Sequence, residues 1–220
     1  MTAMAIPKSD NIKARARKTV SLLKENYPQA GCTLDFKSIH QLMVATILSA
    51  QCTDERVNKV TPGLFKKYKS VKDFAEAHVE ELGRDIYSTG FHNAKARAIK
   101  TSAQQLLERH GGAMPATLDE LVELNGVGRK TGSVILGAGF GLAEGIVVDT
   151  HVARISRLLG FTGHKDAVRV EKDLMAIIPK KDWIAYSHLL IEHGRTLCKA
   201  RRPDCGSCFL NKLCPSAPVK

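Results

Sequence analysis

Residues 124–132, LNGVGRKTG, place two glycines around a valine and then two cations, Arg129 and Lys130, where a helix is due to begin. A helix start carries partial positive charge and disfavours cations. A bound anion would reverse that balance. The N–H groups of a glycine turn and of the helix start behind it converge on one place, which suits a phosphate. Glycine also favours ordinary helix–helix turns, so a plain connection is the alternative reading of Gly126, Val127 and Gly128. Lys130 carries a second possibility. The dipole and Arg129 both penalise its ammonium form and favour the free amine, the nucleophilic form. A free amine beside a sugar C1′ can displace the group attached there and form a Schiff base. The bland alternative is a solvated lysine.

Two other constellations could do chemistry. Cys198, Cys205, Cys208 and Cys214 follow the spacing C-x6-C-x2-C-x5-C within residues 198–214. Four thiolates so close can hold one metal centre. Zinc sites present two close pairs and here there is one, so the spacing favours a [4Fe–4S] cluster over zinc. Between the first two cysteines, KARRPD supplies Lys199, Arg201 and Arg202, either a solvated loop or a contact to a polyanion. Asp149 follows the apolar run GIVV and precedes THVARI. It can serve simply as an N-cap. A capping carboxylate that faces a cleft can also accept a proton or stabilise positive charge at a sugar carbon.

The surrounding composition narrows the partner. The 220 residues carry 33 Lys and Arg against 22 Asp and Glu, a formal net charge of +11. Such an excess points to a polyanionic partner, nucleic acid before an anionic membrane. The start has no apolar core or cleavage pattern of a signal peptide, and no run of about 18 apolar residues exists. The expectation is a cytosolic protein whose six cysteines are not disulfides. Cys32 and Cys52, remote from the other four, read as core cysteines.

These residues need elements to hold them, and the periodicity is helical almost throughout. Ile12, Ala16, Val20, Leu23 and Tyr27 share one face, and residues 38–51 are apolar nearly all round. Asp54 is expected to cap the next segment, which Pro62 and Gly63 interrupt. Residues 93–110 form a helix striped by Ala96, Ile99, Ala103 and Leu106 and stopped by Gly111. Thr117 and Glu120 read as a capping box ahead of the turn at NGVGR and a helix over 130–140. Asp149 caps a helix that Gly160 ends, and helices over 165–177 and 182–193 follow. IVV before Asp149 is the sole strand-like stretch, too short for a sheet. The expected class is all-α with about ten helices and a domain boundary near 141–146.

Taken together, LNGVGRKTG, VVDTHVAR and the cysteine spacing, joined by LSAQCTD (48–54) and GFHNAKA (90–96), closely resemble the endonuclease III family of DNA glycosylases in the helix–hairpin–helix superfamily. The resemblance runs from about residue 12 to 214. It implies a helix–hairpin–helix DNA glycosylase fold. A six-helix barrel domain would span 33–143, with the hairpin at 118–140. A helical iron–sulfur domain would combine 1–32 with 144–220, and DNA would bind in the cleft between them. It implies a [4Fe–4S] cluster that serves structure and DNA binding, with the four cysteines as ligands. Lys130 matches the family nucleophile and Asp149 its catalytic aspartate. Gln51 matches the residue that fills the void left by a flipped nucleotide. Phe91 stands where the family commonly carries an aliphatic wedge, and could instead anchor its turn in the core. His92, Asn93, the hairpin residues 126–129, Lys199, Arg201 and Arg202 are the further DNA contacts implied. The resemblance further implies a monomeric, prokaryotic, nucleoid-associated enzyme that removes oxidised pyrimidines from double-stranded DNA and nicks it at abasic sites. Adenine-specific relatives lack a lysine at position 130 and archaeal mismatch-specific ones often place tyrosine there, which counts against the first rival reading, a glycosylase without lyase activity; the second rival is a non-catalytic cluster protein that binds DNA.

Overall fold

The computed structural model describes residues 9–218, and among them every regular element is helical. Eleven α-helices follow in order: α1 Ser9–Asn26, α2 Ile39–Ser49, α3 Asp54–Lys67, α4 Val71–Glu76, α5 Val79–Asp85, α6 His92–His110, α7 Leu118–Val122, α8 Arg129–Val134, α9 Thr150–Leu158, α10 Ala167–Ile177 and α11 Trp183–Thr196. The expected all-α class is what the chain adopts. The chain divides into two compact units, one of residues 33–144 and the other of 1–32 with 145–220.

The 33–144 unit is built around α2, whose residues Leu42 to Leu48 are all buried. Ser38 caps it by accepting the Gln41 N–H at 3.2 Å. An apolar helix closed on every side needs neighbours on every side, and α3, α6 and α8 pack against it. α6 in turn covers α4 and α5, burying Ala96, Ile99, Ala103 and Leu106 along the stripe, and Gly111 ends it at φ +59°. The other unit gathers Ala16, Val20 and Leu23 of α1 against Val152 and Ile155 of α9 and Leu190 of α11. Ile12 and Tyr27 flank that core rather than entering it.

Several local expectations need correction. Thr53, not Asp54, caps α3, accepting the Arg56 N–H at 3.3 Å; Asp54 sits in the first turn and accepts the Thr33 hydroxyl at 2.5 Å. The helix also runs through Pro62 and Gly63 to Lys67. An internal proline costs about 3 kcal/mol. Here it is exposed, while Val57, Thr61 and Leu64 are buried on the opposite side. Burying apolar side chains at roughly 1.5–3 kcal/mol each offsets the missing bond. The expected helix over 130–140 is α-helical only to Val134 and continues as a π-helical turn over Ile135–Phe140. Gly139 sits in that turn, where a Cβ would lie 2.9 Å from Ile39 Cγ2, so the widened turn passes close over α2. Cys32 and Cys52 are half-buried rather than core residues.

Candidate functional site

The hairpin is formed by α7, the turn 124–128 and α8. Thr117 caps α7, accepting the Glu120 N–H at 3.4 Å and donating its hydroxyl to the Glu120 carboxylate. Leu121 and Leu124 are buried beneath it, and the Val127 side chain is buried too, so Val127 presents only its backbone. The two glycines of the turn do different work. Gly126 has φ +78°, and a Cβ there would fall 2.8 Å from the Ala98 methyl, so the turn itself demands glycine. Gly128, the N-cap of α8, has φ −83°, and a Cβ would meet nothing within 4 Å. Its missing side chain leaves open space for something outside the chain to approach the backbone. Arg129 and Lys130 follow as the first two residues of α8, both exposed.

Gln51 and Phe91 sit in the loops that end α2 and begin α6. They are the only non-glycine residues with positive φ among the described residues, at +52° and +48°. A left-handed backbone costs a side-chain-bearing residue about 1–3 kcal/mol, and such strain collects at functional sites. Both side chains point to solvent, Phe91 with 65% of its surface exposed, so it does not anchor its turn in a core. His92 is half-buried and tilts against the exposed Tyr87 ring, centroids 4.8 Å apart. Asn93 is exposed in the first turn of α6.

Asp149 lies in the other unit, as the N-cap of α9. The Val152 N–H donates to its Oδ1 at 2.8 Å. Capping through one oxygen leaves a carboxylate a second oxygen for other work. The residue is half-buried.

All four C-terminal cysteines line one cavity, together with Ile155, Leu158, His193 and Leu210. Among the described residues, no three of His, Cys, Asp and Glu draw close enough to hold a single ion. Four thiols on one cavity match the four cysteine ligands that an iron–sulfur cluster takes. Burial pushes the Cys208 and Cys214 thiols up, and the neighbouring cysteines add to it. Thiols so placed ionise when a cationic core takes their charge. Their supports are polar groups aimed at sulfur. Arg154 Nη1 donates to Cys198 Sγ at 3.6 Å and Nη2 to the Cys198 carbonyl at 2.7 Å. His193 Nε2 lies 3.6 Å from Cys208 Sγ, its Nδ1 3.0 Å from the Tyr27 hydroxyl. Burial and the nearby Arg154 hold His193 down to about 4, so its ring is neutral. Arg15 reaches from α1 to the carbonyls of Leu159 and Leu213 and lies over the Phe161 ring, at 4.9 Å. Lys199, Arg201 and Arg202 are exposed on the loop.

Sequence reasoning did not single out Arg15, Arg154, His193 or Lys95. Lys95 alone left a legible signal: it falls four residues before Ile99, on the buried side of α6. The contacts of the other three depend on long-range packing.

Comparison with known proteins agrees with this geometry. Residues 44–180 match the family model described as HhH-GPD superfamily base excision DNA repair protein, and residues 198–214 match the iron-sulfur binding domain of endonuclease III. The chain is 48% identical to endonuclease III of Synechocystis sp. over 93% of this chain and 94% of the relative. It is 47% identical to endonuclease III of Bacillus subtilis over 86% of each. A trapped endonuclease III–DNA covalent intermediate superposes with a TM-score of 0.87 at 43% identity, covering 93% of this chain and 96% of that one. The hairpin, the cysteine cavity and these likenesses agree: the chain belongs to the endonuclease III family of helix–hairpin–helix base excision repair proteins, whose members carry a [4Fe–4S] cluster.

Proposed function

We propose that Lys130 is the nucleophile and Asp149 the assisting carboxylate of the DNA glycosylase and AP lyase activity that this family membership brings. The observation that carries the assignment is the exposed amine on the hairpin helix. A lyase of this kind needs an amine. Lys95, which bonds the segments leading into the Gln51 and Phe91 loops, is buried with its amine committed to two carbonyls. Lys130 stands in the open two residues past Gly128.

The lesion is turned out of the duplex, because its C1′ is out of reach inside the stack. Gln51 and Phe91 occupy the gap, aided by His92 and Asn93. The hairpin amides of 126–128 and Arg129 hold a backbone phosphate, a contact that positions without reading sequence. The Lys130 amine attacks C1′, and the bond from C1′ to the base breaks with its electrons leaving on the base. The Asp149 carboxylate stabilises positive charge as it develops at the sugar, then takes the proton that the bonded amine sheds and passes it to the departing base. The sugar ring opens to a Schiff base on Lys130. Loss of a C2′ proton then expels the 3′ phosphate, which nicks the strand 3′ to the abasic site. Water hydrolyses the imine and frees the amine. Oxidised pyrimidines and abasic sites in double-stranded DNA are the substrates, and the protein acts as a monomer on the prokaryotic nucleoid in the cytoplasm. Among the described residues no helix is long and apolar enough to cross a membrane.

Cys198, Cys205, Cys208 and Cys214 hold the cluster, which ties residues 198–214 into the fold and takes no part in bond cleavage. Lys199, Arg201 and Arg202 then meet DNA phosphates from the ordered loop.

Borohydride reduction with abasic duplex DNA tests the assignment. Wild type is expected to give a covalent adduct and Lys130→Ala none. An absent wild-type adduct, or an undiminished one in the variant, overturns it.

A further inference from the structure

We infer that Lys95 is a positioning residue for base flipping: its buried ammonium clasps the two loops that carry Gln51 and Phe91 and sets both side chains for entry into DNA. The inference rests on the insertion roles proposed above for those two residues.

Lys95 lies in the first turns of α6, with 5% of its surface exposed. Its Nζ donates to the Leu48 carbonyl at 2.8 Å and to the Thr89 carbonyl at 2.8 Å. Neither acceptor is incidental. At the end of α2 the Cys52 N–H would continue the helix by bonding Leu48; instead it bonds the Ser49 carbonyl at 3.1 Å, and the chain leaves the helix through Gln51 at φ +52°. The Leu48 carbonyl is thereby left to the ammonium, at a helix C-terminus where positive charge is favoured. Thr89 immediately precedes Gly90 and Phe91, whose φ values are +71° and +48°. The Lys95 backbone N–H takes the Phe91 carbonyl at 3.0 Å. One residue therefore holds the chain on both sides of Gly90 and, through the same ammonium, the end of α2.

Such a clasp is expensive as plain packing. Burial pushes Lys95 down from the ordinary lysine range, and its ammonium bonds two neutral carbonyls rather than a carboxylate. A leucine would fill the space without desolvating a charge. What the ammonium supplies is geometry: three donors on one nitrogen can satisfy carbonyls from two separate segments at once. The left-handed residues on each segment are then over-determined by a shared tether, which is how strained backbone persists.

Full-length, cluster-loaded Lys95→Met is the test, on two duplexes carrying the same oxidised pyrimidine. In one the lesion is paired; in the other it lies in an unpaired bubble. If Lys95 acts through insertion, excision from the paired duplex falls on the order of tenfold to a hundredfold, the scale on which small misplacements act. Excision from the bubble, where no void needs filling, falls less than about threefold. Equal losses on both duplexes, or none on either, overturn the inference. Should Lys95→Met not fold, Lys95→Gln, which keeps a donor, is expected to show the same paired-over-bubble asymmetry at smaller size, and its absence overturns the inference equally. In a Gln51→Ala, Phe91→Ala background, Lys95→Met is expected to add nothing further on paired DNA, since the groups it positions are gone; a full additive loss contradicts the clasp. Wild type that excises from neither duplex refutes the glycosylase reading itself, whereas failure of the clasp leaves wild-type excision intact.

Discussion

The two units build their functional segments in opposite ways. In the 33–144 unit, the hairpin and the two loops that carry Gln51 and Phe91 stand on closed packing: buried Leu121 and Leu124 under the turn, an all-round buried α2, and a tether of carbonyls on Lys95. Lys130, Gln51 and Phe91, the residues proposed to act on DNA, are exposed on a frame complete without them. In the other unit, residues 198–214 have only one short 3-10 turn, Asn211–Leu213, and one buried apolar side chain, Leu210. Their order comes from four thiols about a common cavity and from Arg154, His193 and Arg15 bonded around it. On the proposed roles, one segment is held by burial and stores strain for use; the other is held by ligation and has little burial to fall back on. Short loops with too small a core need such a staple.

Removing the iron should break this contrast most visibly. Trypsin is expected to cut after Lys199 and Arg201 in iron-free protein and to spare them in loaded protein, while 33–144 resists in both. Equal resistance of the loop in the two forms would mean that its packing suffices without the cluster.

Asp149→Asn comes next. Asparagine caps as well as aspartate, so α9 and the folded stability should survive with a change within about 0.5 kcal/mol. Base excision should nevertheless fall by roughly a hundredfold, the scale of general acid–base assistance. Unchanged excision would reduce Asp149 to its cap.

The smallest effect concerns stored strain. Phe91→Gly removes an exposed side chain and relieves a positive φ, so denaturant unfolding should show stability raised by a few tenths to about 1 kcal/mol. Excision from paired DNA should drop at the same time. A variant that loses both stability and activity would show that Phe91 is held by packing rather than strained for function.

How far the sequence alone reaches differs between the same two regions. The hairpin was legible because glycine, capping threonine and helical periodicity are local signals. Asp149 as a cap was legible for that reason too. The four cysteines announced a metal centre by spacing. Pro62 misled, since a local rule predicts a break and only the burial of Val57 and Leu64 on the far face overrides it. The π-helical turn at Ile135–Phe140 has no local code and follows from close passage over Ile39 and Leu42. Arg15, whose carbonyl partners lie 144 and 198 residues away, was beyond any reading of pattern.

The central claim is that one amine on the hairpin performs the chemistry. Peptide mapping of the borohydride-trapped adduct tests it most directly. The sugar remnant is expected on the peptide that contains Lys130. A remnant on Lys95 or on any other lysine would contradict the account.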